Sequence, residues 1–367
     1  MALGDLHIVD VSGNVASSYA TKLYADHGAT VTNLEPAAGF STRKLAPLLP
    51  DSGDSAMHGY LHANNRSVAL APEHLLSHPT LSQADLIVYC PELLADGISI
   101  QALRNIGTNT CAISWYGSTG PYADFQGSDA TIHALTGLMR TIGEADGPPV
   151  IPPGQQAQIV GGLSAFNGTL SYLLGQRMGN RNECFHLDAS ILEANMCITD
   201  LLAINAYNEN PVAPRMGVNR FPPTYPLGIW PCKDGWLGVT TLSPSQWQAF
   251  CKLLELDEFA EIELFQSSIN RLEASDMLEP IILAALSQYS AEDLFYRGQA
   301  MRIPLARVPT MDELFNVDQY AKRRAFSEIN GQSQSYLAPS TPFRLLKTPP
   351  HFGGPVAALG EHNLHLS

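Results

Sequence analysis

Charge is what this sequence has least of. Only 15% of its 367 residues are Asp, Glu, Lys or Arg, and 35 acidic against 21 basic residues leave a net charge of −14. Such a surface repels phosphate backbones and anionic lipid over most of its area, so neither nucleic acid nor a membrane surface is an expected partner. No stretch approaches the roughly 18 consecutive apolar residues at which a membrane span is read. The opening MALGDLHIVDV has no basic region followed by a long apolar stretch, which points away from a secretory signal and toward the cytoplasm. The six cysteines, Cys90, Cys111, Cys184, Cys197, Cys232 and Cys251, form no C-x-x-C pair. Neither a zinc site nor a disulfide framework is indicated, and buried, reduced thiols are expected. The 11 histidines are dispersed without H-E-x-x-H, so no metal is expected. G-x-G-x-x-G, a P-loop and a G-x-S-x-G elbow are also missing, as are internal repeats and low-complexity tracts.

What is present is a 45% hydrophobic chain long enough for a large core and more than one domain. Leu6 to Val11 reads as a buried parallel strand, and the spacing of Ala20, Leu23 and Tyr24 predicts a helix over 16–27 closed by Gly28. Thr30 to Glu35 returns as a second strand, giving a βαβ unit; Glu35 at its end is either a ligand contact or a solvated strand end. Residues 37–60 read as a long surface excursion in which Arg43 and Lys44 form the basic pair. Further strands at 67–70, 84–89 and from Cys111 predict a doubly wound α/β domain. The last of these runs into Gly117-Ser118-Thr119-Gly120-Pro121 and then a helix starting near Asp129. That turn is either an ordinary connection or a loop that offers backbone N–H groups at the sheet edge, with Gly117 and Gly120 as the contacts.

The Pro-rich stretch 147–154 cannot be helical and is expected to lie over the sheet. A helix follows over 157–176, where Gly161, Gly162, Ala165 and Gly168 allow another backbone to approach closely. His186 to Ser190 is a strand and Ile191 to Tyr207 a long apolar helix. The expected division is a large domain over 1–207, a Pro- and Asn-rich linker at 208–226, a small α+β domain over 227–310, and a segment 311–367 returning to the large domain. The small domain opens with a hairpin whose Asp234-Gly235 supplies the positive φ of a tight turn, and one helix is expected from Met311 to Ala325. Among side chains with chemistry, Cys184 near His186 reads as packing. Asp129 and His133, one helical turn apart, read either as an acid–base pair or as a capping Asp beside an incidental His.

Six of these segments, in order, resemble CoA-transferase family III, the group of formyl-CoA transferase, the carnitine-pathway CoA-transferases and 2-methylacyl-CoA racemase. They are Ile8 to Ser12 with Gly28 to Pro36, Ser114 to Pro121 with Asp129 and Gly137-Leu138, Leu187 to Ala194, Tyr225 to Gly235, Ile303 to Val308, and Gly360-Glu361-His362. The resemblance implies a Rossmann-like large domain, a small α+β domain and two chains interlocked as a homodimer or as a heterodimer with a paralogue. It also implies acyl-CoA and a carboxylic acid as substrates, CoA being a substrate rather than a resident group, with no metal. Family transferases use an aspartate nucleophile that becomes an acyl anhydride and then a CoA thioester; here Gln158 stands at that position. The histidine of the family's racemases is replaced by Ser128. Asn65-Arg66-Ser67 and Cys90-Pro91 replace polar CoA contacts, leaving Arg43 and Arg66 as the implied phosphate contacts. The resemblance leaves open an enzyme in which Asp129 or His133 substitutes for Gln158, a non-catalytic subunit or pseudo-enzyme paired with an Asp-bearing paralogue, and a racemase-like isomerase.

Overall fold

The computed structural model describes residues 1–95, 97–179, 183–199 and 215–363. Its organising element is a six-stranded parallel sheet in the order β3-β2-β1-β4-β5-β6. The strands are β1 (His7–Asp10), β2 (Thr30–Pro36), β3 (Arg66–Leu70), β4 (Leu86–Tyr89), β5 (Thr110–Ser114) and β6 (His186–Ser190). Helices α1 (Val15–Asp26), α2 (Ala56–His62), α3 (Pro72–Leu75), α4 (Pro79–Gln83), α5 (Ile100–Arg104), α6 (Asp129–Leu135), α7 (Gln156–Arg177) and α8 (Ile191–Met196) connect and flank them. The fold is therefore α/β and doubly wound, as the strand pattern predicts.

Both sheet faces are covered, which is why strands such as Leu86–Tyr89 are apolar at every position rather than alternating. On one face Ile8, Val31, Val88 and Ile113 meet Ala20 and Tyr24 of α1 and Ala165 of α7. On the other, Val9, Leu34, Ile87 and Ala112 pack with Leu75, Leu81 and Leu103 of the shorter helices. The small residues of α7 do what their spacing predicts. A Cβ on Gly162 would lie 2.4 Å from the Ala16 carbonyl oxygen, and one on Gly161 2.7 Å from the Ile191 side chain. Backbone-to-backbone approach of α1 and α7 thus depends on the missing methyl.

Two expectations change, and a third lies partly outside the described residues. Residues 37–60 form a surface excursion only in part: 44–53 are exposed or half-buried, whereas Phe40 and Thr42 are buried and α2 buries His58 and, just beyond, Leu61 and His62. Phe40 is drawn in because it fills the space over Gly13, whose φ is +62°. The 191–207 helix is described through Met196, followed by a 3₁₀ turn to Thr199; its expected continuation to Tyr207 and residues 208–214 of the 208–226 linker lie outside the described residues. Cys184 and Cys197 are exposed, whereas Cys90, Cys111 and Cys251 are buried.

The chain divides into two compact units. The first comprises Met1–Leu138, Ile151–Glu209 and Val317–Ser367, and the second Met139–Val150 and Asn210–Asn316. Residues 139–150 group with the second unit, where Arg215 donates to the main-chain carbonyls of Glu144 and Gly147, so the Pro-rich stretch 147–154 is divided between the two units. Within the second unit β7 (Leu227–Pro231), β8 (Trp236–Thr240) and β9 (Leu305–Arg307) form an antiparallel sheet backed by Trp230, Trp247 and Phe250. The β7–β8 turn is longer than expected. Pro231 pairs with Trp236, so four residues close it, and neither Asp234 nor Gly235 has positive φ. Asp234 instead accepts from the Ala291 N–H at 2.9 Å. In the first unit a small sheet of β10 (Phe326–Asn330), β11 (Ser335–Pro339) and β12 (Gly354–Pro355) packs Ile329 and Ala338 against Ala63. The helix expected over 311–325 is split at Val317, which is extended, into a 3₁₀ turn (Glu313–Asn316) and a helix (Asp318–Arg323).

Candidate functional site

Strand order reverses between β1 and β4, and in open parallel sheets the crevice outside the carboxyl ends of the strands at such a point is where ligands bind. Here a cavity of about 60 Å³ lies at those ends, walled by Val11, Leu34, Leu70, Leu75, Leu94 and Ile98, with Glu35 as its carboxylate. The first turn beside it is chemically closed. Asp10 accepts from the Ser12 and Gly13 N–H groups at 2.9 and 3.1 Å and from Ser17 Oγ at 3.1 Å. A dinucleotide fold would offer those two N–H groups to a pyrophosphate. Their occupation by a protein carboxylate, with Phe40 over Gly13, is the structural counterpart of the missing glycine fingerprint. Ser12 Oγ also accepts from the Cys90 N–H at 2.6 Å, joining the ends of β1 and β4.

Burial pushes the Asp10 carboxyl up to about 6, against the opposing pull of those hydrogen bonds. A folded-state pKa above the unfolded value of 3.8 means that this contribution to stability is present below pH 3.8 and is lost as pH rises through about 6. The wild type is therefore expected to lose on the order of 3 kcal/mol from this group across that window, since every tenfold difference in proton affinity between folded and unfolded chain is worth about 1.4 kcal/mol. Asp10→Asn should lack this component when urea midpoints are compared at pH 4, 5, 6 and 7; identical pH slopes in the two proteins would refute the assignment.

Glu35 is neither solvated nor free. It is 1% exposed and takes Arg43 Nη2 at 2.6 Å, Arg43 Nε at 2.7 Å, Ser67 Oγ at 2.6 Å and the Phe40 N–H at 3.0 Å. Arg43 is thereby committed to a buried carboxylate and reaches the Ala357 carbonyl at 3.4 Å. The closing Gly360-Glu361-His362 motif joins this hub, with the Gly360 N–H on Ser67 Oγ at 3.0 Å and the Ser67 N–H on His362 Nδ1 at 3.2 Å. Arg66 is exposed at the amino end of β3, level with Thr32 in the pairing, whereas Glu35 pairs with Ala69 toward the carboxyl end. Of the two arginines implied as phosphate contacts, Arg43 is thus engaged by Glu35 and Ser67 and Arg66 is exposed.

The loop after β5 has the backbone that its glycines suggest: Gly117 and Gly120 both have φ of +92°. Its N–H groups are partly spent. Asp188 accepts from the Ser118 N–H at 2.9 Å and from Ser118 Oγ at 2.9 Å, and Ser114 Oγ accepts from the Gly117 N–H at 3.0 Å. Asp188 was legible only as part of the Leu187-Asp188-Ala189-Ser190 segment, and nothing local pointed to its partner 70 residues away.

Beyond the loop, Ser128 caps α6 in a capping box with Thr131 and leaves Asp129 in the first turn. The Asp129 carboxylate crosses to α7. It accepts from Gln158 Nε2 at 2.8 Å and from the Gln158 backbone N–H at 3.2 Å. Gln155, at the N-cap of this 22-residue helix, makes no side-chain cap of its own, so Asp129 supplies the missing acceptor at the positive end of the helix dipole. Asp129 and Gln158 are thus brought together. His133 is not part of that pair: it is 3% exposed, and neither ring nitrogen has a partner among the described residues. Cys184 donates to the Gly107 carbonyl and His186 Nδ1 meets Thr110 Oγ1, so these two do not form a nucleophile–base pair.

A second buried polar group was missed altogether. His58 and His62 lie with ring centroids 4.3 Å apart, held by Thr42, Asn33 and Asn65. Burial depresses His58 to about 4 and holds His62 well below the usual imidazole value, which favours the neutral form of both rings. Their i, i+4 spacing was the available signal. Among the described residues no cluster of His, Cys, Asp and Glu is arranged to hold a metal ion.

Comparison with known proteins places these features in a wider set. The family model for CoA-transferase family III matches residues 3–363. The chain is 24% identical to the succinate–glutarate CoA-transferase of Agrobacterium fabrum over 98% of its own length and 93% of that protein. It is 23% identical to the alpha subunit of the succinyl-CoA–L-malate CoA-transferase of Chloroflexus aurantiacus over 95% and 84%. The crystal structure of a CAIB/BAIF family protein from Brucella suis superposes with a TM-score of 0.86 at 22% identity, covering 99% of this chain and 97% of that one.

Proposed function

Because the chain belongs to CoA-transferase family III, we propose that it moves coenzyme A from an acyl-CoA to a carboxylic acid, with Asp129 as the carboxylate that carries the transfer. The observation behind this assignment is the 2.8 Å contact between Asp129 and Gln158. The position where the family places its nucleophile holds an amide, which cannot form an acyl anhydride or a thioester, and a carboxylate stands one hydrogen bond away. The relatives named above act on succinate, glutarate and malate, which supports a dicarboxylic acid as substrate.

In the proposed sequence an Asp129 oxygen attacks the thioester carbonyl, the C–S bond breaks, and CoA leaves as thiolate with Asp129 held as a mixed anhydride. The thiolate attacks the aspartyl carbonyl and releases the first acid as carboxylate, leaving an Asp129–CoA thioester. The acceptor carboxylate attacks that thioester and frees the thiolate, which takes the new acyl group and regenerates Asp129. No net proton or oxidant is needed. Gln158 holds Asp129 through two N–H donors in the resting state, and the same donors face the Asp129 oxygens, one of which becomes negative when CoA thiolate or the acceptor carboxylate adds to the aspartyl carbon. Incubation with succinyl-CoA followed by peptide mass spectrometry should find CoA on the peptide carrying Asp129, in a hydroxylamine-sensitive linkage. A CoA adduct on another carboxylate, or none during active transfer, would overturn the assignment.

A non-catalytic role beside an Asp-bearing paralogue is the second reading, favoured by Gln158 itself. Under it, transfer appears only when that partner is added. A racemase-like reaction lacks its base pair here, since position 158 is an amide and Ser128 is a helix cap. Pairing with a second chain is part of the proposal. It is supported by the exposed Leu163, Tyr172, Leu174 and Met178 on or beside α7, apolar surface that a partner would cover. No helix among the described residues is long and apolar enough to cross a membrane, consistent with action on water-soluble substrates.

A further inference from the structure

The first unit contains a cavity of about 130 Å³ between α2 and the β10–β11 hairpin, walled by Arg43, Leu49, Asp54, His58, Tyr336 and Val356. That is room for roughly four waters at about 30 Å³ each, or for one molecule of a few non-hydrogen atoms. The hairpin closes over α2 because residue 59 is glycine: a Cβ there would lie 2.2 Å from Tyr336 Oη, which donates to the Ala56 carbonyl at 2.6 Å. Unlike the cavity at the strand ends, this one has in its wall a buried polar group with an open position. His58 is 5% exposed, and its Nε2 has no partner among the described residues.

The side chains behind His58 fix where its hydrogen sits. The Asn33 and Asn65 amide N–H groups donate to His62 Nδ1 at 3.0 and 3.3 Å, which puts the ring hydrogen of neutral His62 on Nε2. Nε2 donates in turn to Thr42 Oγ1 at 3.2 Å, and the Thr42 hydroxyl donates to His58 Nδ1 at 2.9 Å. His58 therefore keeps its hydrogen on Nε2, as a donor. Thr42, His58 and His62 are all buried, so this donor is held in place before any ligand arrives. The charges of the wall decide what it suits. Arg43 is balanced by Glu35 at 2.6 Å, and Asp54 adds a carboxylate whose Oδ2 accepts from Ser333 Oγ at 2.8 Å, leaving Oδ1 as an acceptor. An anion would meet Asp54 with no uncommitted cation to offset it, and a cation would meet the N–H groups of His58 and Arg43. We propose that the cavity binds a small uncharged molecule that accepts from the His58 Nε2–H and donates to Asp54, a short primary carboxamide being the class that carries both functions in one group. The inference is independent of the transfer reading.

The test uses propionamide, propionate and n-propylammonium, three probes of nearly one shape that differ in charge. Each is titrated into the full chain while the ring nitrogens of His58 are followed by nitrogen NMR. Before titration the His58 Nε2 should show the shift of a protonated, pyrrole-type nitrogen, and it should move on saturation with propionamide. A ligand this small is expected to bind in about the millimolar range. Propionate and propylammonium should bind about tenfold more weakly or worse, since each brings an unpaired charge into the cavity. Asp54→Ala should weaken propionamide about tenfold, the loss of one hydrogen bond to a charged acceptor. Leu49→Trp, which fills the cavity from its half-buried rim, should abolish binding. The wild-type His58 signal needs no substitution, so the donor is tested even where a variant fails to fold. A pyridine-type His58 Nε2, no saturable shift with propionamide at tens of millimolar, an equal response to either charged probe, or propionamide binding unaltered in both folded variants would each overturn the site. None of these readings involves CoA or Asp129, so the site and the transfer reading stand or fall separately.

Discussion

Asp129→Asn is expected to lower CoA transfer by a factor on the order of 10³ or more, since the variant keeps the size of the side chain but has no oxygen able to form an anhydride. The fold should persist. An Asn oxygen still accepts from the Gln158 N–H, and the Gln158 amide can turn its own oxygen toward the new NH₂, so the cost is that of a weakened helix cap, about 1 kcal/mol. Steady-state transfer from succinyl-CoA to a dicarboxylate, read beside a thermal unfolding curve, separates loss of chemistry from loss of structure. Wild-type rates in Asp129→Asn would sink the proposed nucleophile. The exchange variant Asp129→Asn/Gln158→Asp is the sharper form of the experiment. It moves the carboxylate across the same hydrogen bond, and the CoA adduct should move with it to residue 158. Gln158→Asp alone should be less active than the exchange variant, because two carboxylates in hydrogen-bond contact cannot both stay ionised without mutual repulsion.

Removal of the Glu35 carboxylate is expected to have the largest effect on stability. Glu35→Ala leaves the Arg43 guanidinium, whose side chain is 16% exposed, without its counter-charge and strips Ser67 and the Phe40 N–H of their acceptor. Breaking a buried pair from one side costs about 3–5 kcal/mol. Denaturant midpoints of wild type and Glu35→Ala should differ accordingly, and a difference below about 1 kcal/mol would show that water replaces the carboxylate. Burial alone would raise the Glu35 pKa, but hydrogen bonds from Arg43, Ser67 and Phe40 outweigh it and hold it below its usual value of 4.5. The sign is therefore opposite to that of Asp10. Glu35 contributes stability above pH 4.5 and loses it as pH falls through its depressed folded value. Acid below that point should destabilise the wild type more steeply than Glu35→Gln.

Much of the architecture was legible because it is written in short-range periodicity. The β1–α1–β2 unit, the strands at 67–70 and 86–89 and the glycine-bearing helix α7 follow from runs of a few to about twenty residues. Misreadings arose where burial, not propensity, decided. Residues 37–60 are polar and rich in turn formers, yet Phe40, Thr42 and His58 are interior, Phe40 because it fills the space over Gly13 with its N–H on Glu35, and Thr42 and His58 because they hydrogen-bond each other. The hairpin at Asp234-Gly235 has the composition of a tight turn, but Asp234 is used to hold the Ala291 N–H, and the loop widens. Likewise the i, i+4 spacing of Asp129 and His133 suggested a pair, while α6 turns the carboxylate toward α7 and buries the imidazole.

By itself, then, the sequence determined the order of the elements, the family, and the absence of a carboxylate at position 158, because each is a matter of which residue stands where along the chain. Only the tertiary structure decided that Asp129 lies against Gln158 across 29 residues, that Asp10 and Asp188 fill the N–H groups of the two strand-end turns, and that Arg43 belongs to Glu35. Those contacts depend on how helices dock on a sheet. Docking is set by the summed fit of many side chains, and no local spacing records it.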